Sequence, residues 1–203
     1  MANLGECVNR ILEPLFLTGE YTAGAKTAIK TATDFYKRKL FWFNEEMGTG
    51  VTISGTERYA FPADFGDLLT LNITINNNNY PLRRRTSQEM DNLYVSAAQY
   101  SGYPQDFSIE KNAIRLGPIP NGAYTLKIYY RKEPATATAD SQTNIFLTNA
   151  EPLIRWKAAA DIAFNYRRDT EAAQGFLLQA DMELKNHQSE SLQKQMKGSG
   201  RRR

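Results

Sequence analysis

The hydrophobic period of this chain changes twice. From Leu4 to Leu40 apolar residues recur every three or four positions, from Leu69 to Tyr130 they alternate, and from Leu153 the helical spacing returns. A stripe of period 3.6 buries one side of a helix, and a period of 2 buries one face of a sheet. The chain is therefore expected to be α+β. Its N- and C-terminal helices should pack as a bundle, with an inserted block of short antiparallel β-strands and an extended C-terminal tail.

Local signals refine this order. Leu4, Val8, Ile11, Leu12 and Leu15 predict a first helix, which Pro14 should kink or stop near Leu12. A second helix is predicted from about Thr22 to Asn44, closed by Gly48 and Gly50. Leu69, Leu71, Ile73 and Ile75 alternate with polar residues, a half-buried strand, and Asn76 to Asn79 supply a turn. A short helix capped by Ser87 should point Met90, Leu93 and Tyr94 inward. Two strands joined near Lys111-Asn112 follow, then a turn at Asn121-Gly122 and a strand through Tyr130. Asn149 is the expected cap of the last helix, with Gly175 a point where it could break. The division is thus 1–50 for the N-terminal helices, 51–134 for the β-rich insertion with its short helix, 135–148 for a loop or arm, 149–187 for a long C-terminal helix and 188–203 for a basic tail.

Charge and composition exclude several classes. The formal charge is +3, but the last ten residues hold Lys194, Lys197, Arg201, Arg202 and Arg203 and no acid. Without them the body is mildly acidic, a poor match to a nucleic-acid-coating protein. No apolar run is long enough to span a bilayer, so no membrane partner is expected. A single cysteine and an N-terminus without a basic-then-apolar leader suggest synthesis in the cytoplasm.

Chemistry is sparse. His187 is the only histidine and reads as a surface residue; Cys7 lies on an apolar stripe and reads as a buried thiol. The two cannot build a metal site, and no phosphate-binding loop or dinucleotide fingerprint exists, so neither metal nor cofactor is expected. The acidic pairs Glu45-Glu46 and Asp64/Asp67 flank expected turns, where acids are solvated or cap. No catalytic residue is assigned, and the chain is not expected to be an enzyme. Three features ask for more. Arg83-Arg84-Arg85, beside Tyr80, suits an interface ion-pair site or, less well, phosphates. Tyr100, Tyr103, Tyr129 and Tyr130 suit exposed protein contacts. The basic tail, with Leu192 and Met196, suits an acidic partner surface or DNA.

Five phrases occur in order: Leu40-Phe41-Trp42; Tyr59-Ala60-Phe61-Pro62-Ala63-Asp64-Phe65; Gly102-Tyr103-Pro104; Leu116-Gly117-Pro118-Ile119-Pro120; and Tyr129-Tyr130-Arg131-Lys132 with Pro134. In that order and spacing, from about Ala25 to Lys185, the chain resembles the head-to-tail adaptor, or head-completion, proteins of short-tailed bacteriophages. The N-terminal helix with Pro14 and the Arg201-Arg202-Arg203 end lie outside the resemblance. It implies a structural virion protein: a homo-oligomeric ring, a dodecamer, beneath the portal protein ring. Such a ring joins portal to tail or nozzle proteins and lines part of the DNA exit channel, with non-specific contact to the genome. It also implies a C-terminal segment that orders against the portal. Leu192, Lys194, Met196, Lys197, Arg201, Arg202 and Arg203 are then the expected portal-binding residues. Arg83, Arg84, Arg85, Tyr100, Tyr103, Tyr129 and Tyr130 are expected at subunit or tail interfaces. The alternative is a non-enzymatic nucleic-acid-binding accessory protein using Arg83–Arg85 and the tail; a small enzyme is a third, weaker option.

Overall fold

The computed structural model describes residues 2–17, 19–94 and 101–199, with side chains through 196. It is α+β, and the chain divides into two units, 1–44 with 133–203, and 45–132.

The helical unit begins with α1 (Leu4–Leu12). Asn3 and Glu6 cap it reciprocally: the Glu6 amide donates to Asn3 Oδ1 at 2.8 Å and the Asn3 amide to Glu6 Oε2 at 3.4 Å. Pro14 stops the helix as expected, leaving one 3-10 turn (Glu13–Leu15) that ends on left-handed Phe16. Helix α2 (Thr22–Tyr36) is shorter than the sequence suggests. It stops at Tyr36, so Phe41, Trp42 and Phe43 lie beyond it. Phe41 and Phe43 are buried from a loop, and the Asn44 side chain staples that loop by accepting from the Phe41 amide and donating to Lys39 O. Burying each phenylalanine is worth about 2–3 kcal/mol, against a few tenths per residue for helix propensity, so packing wins.

The remaining helices are α4 (Ile145–Asn149), α5 (Glu151–Ile162) and α6 (Thr170–Ser199), with α3 in the other unit. Asn149 caps no helix: it is the last residue of α4, which Asn144 caps by accepting from the Phe146 and Leu147 amides at its Oδ1, and α5 follows from Ala150 without a side-chain cap. Gly175 does not break α6. The break lies earlier, in a π-turn (Ala163–Arg167) followed by left-handed Arg168, after which the Asp169 carboxylate accepts from the Ala172 amide and opens α6. Gly24 in α2 leaves room for the Tyr166 hydroxyl, which a β-carbon would overlap. Phe164 and Leu177 are exposed. Residues from α1, α2, α4, α5 and the start of α6 share one core that includes Cys7, Ile29, Phe41, Phe146 and Ile154. The stretch from Gln188 to Ser199, expected as an extended tail, is the continuation of α6. Its Gln, Glu, Leu, Lys and Met residues are good helix formers.

The β-rich unit starts at Glu45, six residues before the expected boundary. Strand β1 (Glu45–Val51) takes in Gly48 and Gly50, so these glycines do not end a helix. Gly48 is needed where Ile128 of the neighbouring strand comes close: a β-carbon would meet its Cγ2 at 2.9 Å. One sheet has the order β1-β10-β3-β4, all antiparallel, from β3 (Phe65–Ile75), β4 (Asn78–Pro81) and β10 (Thr125–Lys132). Asn76 and Asn77 both adopt positive φ in the β3–β4 turn, the role expected of them. A second sheet has the order β2-β8-β7-β5, from β2 (Arg58–Ala60), β5 (Arg83–Arg84), β7 (Asp106–Glu110) and β8 (Ala113–Gly117). A small pair joins β6 (Ser101–Gly102) to β9 (Ile119–Pro120). Helix α3 (Ser87–Leu93) is capped by Thr86, one residue before the expected Ser87, because Glu89 completes a capping box with it; Met90 is buried but Leu93 is exposed. Leu71, Ile73, Phe107, Ile114, Leu116 and Leu126 form this unit's core.

Candidate functional site

Two places bring the sequence-selected residues together. The first is in the β-rich unit. Strand alternation sends Arg83 and Arg85 to one side and Arg84 to the other. Arg83 Nε–H donates to Asp106 Oδ1 at 3.0 Å and its Nη2 to Oδ2 at 3.3 Å; Arg85 Nε–H donates to the same Oδ1 at 3.2 Å. The Tyr94 hydroxyl donates to Oδ2 at 2.7 Å. The Asp106 side chain is 3% exposed. Burial pushes its carboxyl up, but Tyr94 and the two guanidinia outweigh that and hold it below the usual carboxylate range. Burial, then its hydrogen bond to Asp106, pushes the Tyr94 hydroxyl up to about 12. Two of the three arginines thus share one internal counter-ion, which weakens any phosphate-gripping role. Among the described residues Arg84 makes no ion pair and is exposed. A neighbouring network is likewise closed: Arg115 reaches Glu57, Asp91 and Glu110, and Arg58 reaches Glu57 and Glu110.

The three described tyrosines of this set do not form one surface. Tyr130 is buried, a correction to its expected interface role: its hydroxyl donates to Asp64 at 2.9 Å, and Lys132 reaches the same carboxylate at 3.0 Å. A register shift between Tyr129 and Tyr130 in the β10–β3 pairing upsets simple alternation there. Tyr129 is half-buried and Tyr103 is exposed, edge-on to Tyr124. Tyr100 lies outside the described residues.

The second place is α6. Its inward side carries Ala173, Phe176, Ala180, Leu184, His187 and Ser191 at helical spacing. His187 is not a surface residue. Its side chain is 14% exposed and lies against the rings of Phe41 and Phe43, at 6.2 and 5.9 Å between centroids. Ser191 is buried; its hydroxyl accepts from the Trp42 amide at 3.1 Å and donates to His187 O at 2.7 Å. One turn on, Lys194 Nζ sits 3.0 Å from the centre of the Trp42 ring and pairs with Glu190 at 2.9 Å. The opposite side of α6 presents Leu178, Met182, Leu192 and Met196, between 58% and 72% exposed. Spacings of four, ten and four residues place them on one line about half a turn from the core side. Of the expected portal-binding residues, Leu192 and Met196 lie on this line and Lys194 lies on Trp42. The Lys197 side chain and Arg201, Arg202 and Arg203 lie outside the described residues. Leu178 and Met182 belong to no feature that the sequence reading singles out. The second stripe, half a turn from the first, was the available signal.

Other reactive candidates are structural. Burial, then the nearby Glu151 charge, pushes the Cys7 thiol up to about 12, far from a nucleophilic thiolate at neutral pH. Glu45 and Glu46 are strand residues of β1 instead of turn acids, and Glu46 pairs with Lys132. Among the described residues, no group of three His, Cys, Asp or Glu side chains is placed to hold a metal, and no helix is long and apolar enough to cross a membrane.

Apolar side chains held out in water and arginines locked onto a buried carboxylate describe a protein that works by contact. The family model for the SU10 adaptor protein matches residues 2–203, including both ends of the chain. The protein therefore belongs to the SU10 adaptor family, a family of phage head-to-tail adaptors, and is a structural component of the virion. No curated protein matches the chain.

Proposed function

We propose that this chain forms a ring of twelve copies beneath the portal, joins the portal to tail or nozzle proteins, and lines part of the DNA exit channel. It acts without catalysis, and its contact with the genome is non-specific. The portal-binding element is the outer face of α6, with Leu178, Met182, Leu192 and Met196, together with the basic residues Lys197, Arg201, Arg202 and Arg203 that follow; Lys194, first expected among them, lies on Trp42 on the other side and braces the helix. Arg84, Tyr103 and Tyr129 are assigned to subunit or tail contacts, with Arg83 and Arg85 backing them from their site on Asp106.

One observation carries the reading. Helix α6 is tied down on one side by Ser191 and Lys194, while four large apolar side chains stand on the other in solvent. Burying such a side chain is worth about 1.5–3 kcal/mol, so a line of four is a strong latent interface. A ring repeats it, and avidity makes a modest contact per copy firm. The basic end adds attraction to an acidic surface.

Mass photometry of the purified chain, with and without the portal ring of the same genome, tests this. The reading predicts that the portal gains twelve copies. A chain that ignores the portal and instead binds duplex DNA with a steep salt dependence would favour the nucleic-acid alternative.

A further inference from the structure

The β-rich unit holds two features that its core does not explain. One is the loop after β1. Thr52 is buried and fixed by three hydrogen bonds of 2.8 Å: its amide donates to Tyr124 O, its hydroxyl donates to Gly122 O, and the Tyr124 amide donates to its hydroxyl. The Tyr59 hydroxyl ties the following turn, donating to Thr56 O at 2.9 Å and accepting from the Ile53 amide at 3.0 Å. On this held backbone Val51 and Ile53 are 59% and 65% exposed, with Met47 beside them on β1 at 48%. A loop this well bonded presents its aliphatic side chains without an ordering cost on binding.

The other is a groove of about 520 Å³ at the opposite edge of the same sheet, lined by Ile75, Tyr80, Pro81, Arg83 and Tyr103. Pro81 blunts strand addition at β4, so a contact there is made by side chains. Charge also differs between the two edges. Residues 45–56 carry two acids, of which Glu46 pairs with Lys132, and residues 78–85 carry three bases, of which Arg83 and Arg85 share Asp106; the groove edge keeps a net positive charge through Arg84.

We infer that Met47, Val51 and Ile53 of one copy dock into the Ile75–Tyr80–Tyr103 groove of the next. The occupant is a second copy because knob and groove match in polarity, oppose in charge and sit at opposite edges of one sheet. Surfaces on opposite edges cannot pair isologously; they join head to tail, the kind of contact that builds a ring when its rotation closes. The inference rests on the ring reading above and names the surfaces that build the ring.

The test uses the full chain. An Ile53→Cys chain and a Tyr80→Cys chain are mixed under ring-forming conditions with a short bis-maleimide; Cys7 is fully buried and stays out of the reaction. Linked dimers are expected in the mixture and in neither variant alone. A second variant, Ile53→Asp, should raise the concentration needed for assembly at least about tenfold, equivalent to about 1.4 kcal/mol per contact, with an unchanged melting temperature. Rings that assemble without the mixed cross-link, or as readily with Ile53→Asp, overturn this contact and leave the ring reading standing. A wild-type chain that stays monomeric at all concentrations and on the portal overturns both.

Discussion

The Trp42 amide donates to the Ser191 hydroxyl at 3.1 Å, across 149 positions of sequence. This bond fastens α6 to the loop after α2 beyond Gln188, where the sequence suggests a free tail. Ser191→Ala leaves the partly buried Trp42 amide without its acceptor. It should cost about 1–2 kcal/mol and speed amide exchange from residue 188 onward. Thermal unfolding and hydrogen exchange measure both. Unchanged exchange would mean that α6 is not held there.

The cluster on Asp106 predicts a sharp contrast among neighbouring arginines. Asp106→Asn removes the charge that two guanidinia and the Tyr94 hydroxyl share. Breaking such a buried pairing should cost about 3 kcal/mol. Arg84→Ala, which removes no ion pair among the described residues, should stay within about 0.5 kcal/mol. Urea unfolding of the two variants separates these outcomes.

Gly117 lies against Met90 and Tyr94 with no room for a β-carbon. Gly117→Ala should push both side chains back, loosen the Tyr94–Asp106 hydrogen bond and cost about 1–3 kcal/mol. The same substitution at Gly50, where a β-carbon meets open space, should be far milder. Paired melting curves test this.

Acid should weaken the β-rich unit. At Asp64, Asp106 and Glu110 partial burial opposes the charge but is outweighed. The opposing groups are Lys132 and Tyr130 at Asp64, Tyr94 with Arg85 and Arg83 at Asp106, and Arg115 and Arg58 at Glu110. All three carboxyls therefore sit below their ordinary values when folded. Their stabilisation is complete above the unfolded carboxylate range and is lost from about pH 4 downward, as pH falls through the lowered folded values. Both tryptophans, Trp42 and Trp156, are in the helical unit, so their fluorescence follows that unit alone. Hydrogen exchange of peptides from 45–132 should show opening as the pH drops; protection that is flat to about pH 3 would contradict the sign.

Much of the fold was legible where one signal dominated. Pro14 stops α1, Asn76 and Asn77 take the left-handed turn, and alternation from Leu69 to Ile75 lies within β3. Misreadings arose where packing overrode a local rule. Phe41 and Phe43 reach the core from a loop, so helical periodicity ran on too far. Gly48 and Gly50 resemble a helix stop, but Gly48 admits Ile128 in a strand pair. The π-turn at Ala163–Arg167 carries no proline or glycine; only Asp169 before an acidic first turn marked the restart. At the interaction sites, alternation separates Arg84 from its neighbours, but that Asp106 would gather them from 21 and 23 positions away was not readable. The exposed side of α6 was half read: Leu192 and Met196 were selected, Leu178 and Met182 were not.

The position of Ser191 also determines how the central claim is tested. Deleting everything from Gln188 would remove an anchor of the fold along with the docking face. Leu192→Glu with Met196→Glu changes only exposed positions of the outer line. The decisive measurement is mass photometry of this double variant with the portal ring, beside the wild type, with melting temperature as the control for folding. The account predicts an unchanged melting temperature and loss of portal occupancy by at least about a hundredfold in affinity, as expected when two anchoring side chains are removed from an interface. A folded double variant that fills the portal like the wild type would contradict it.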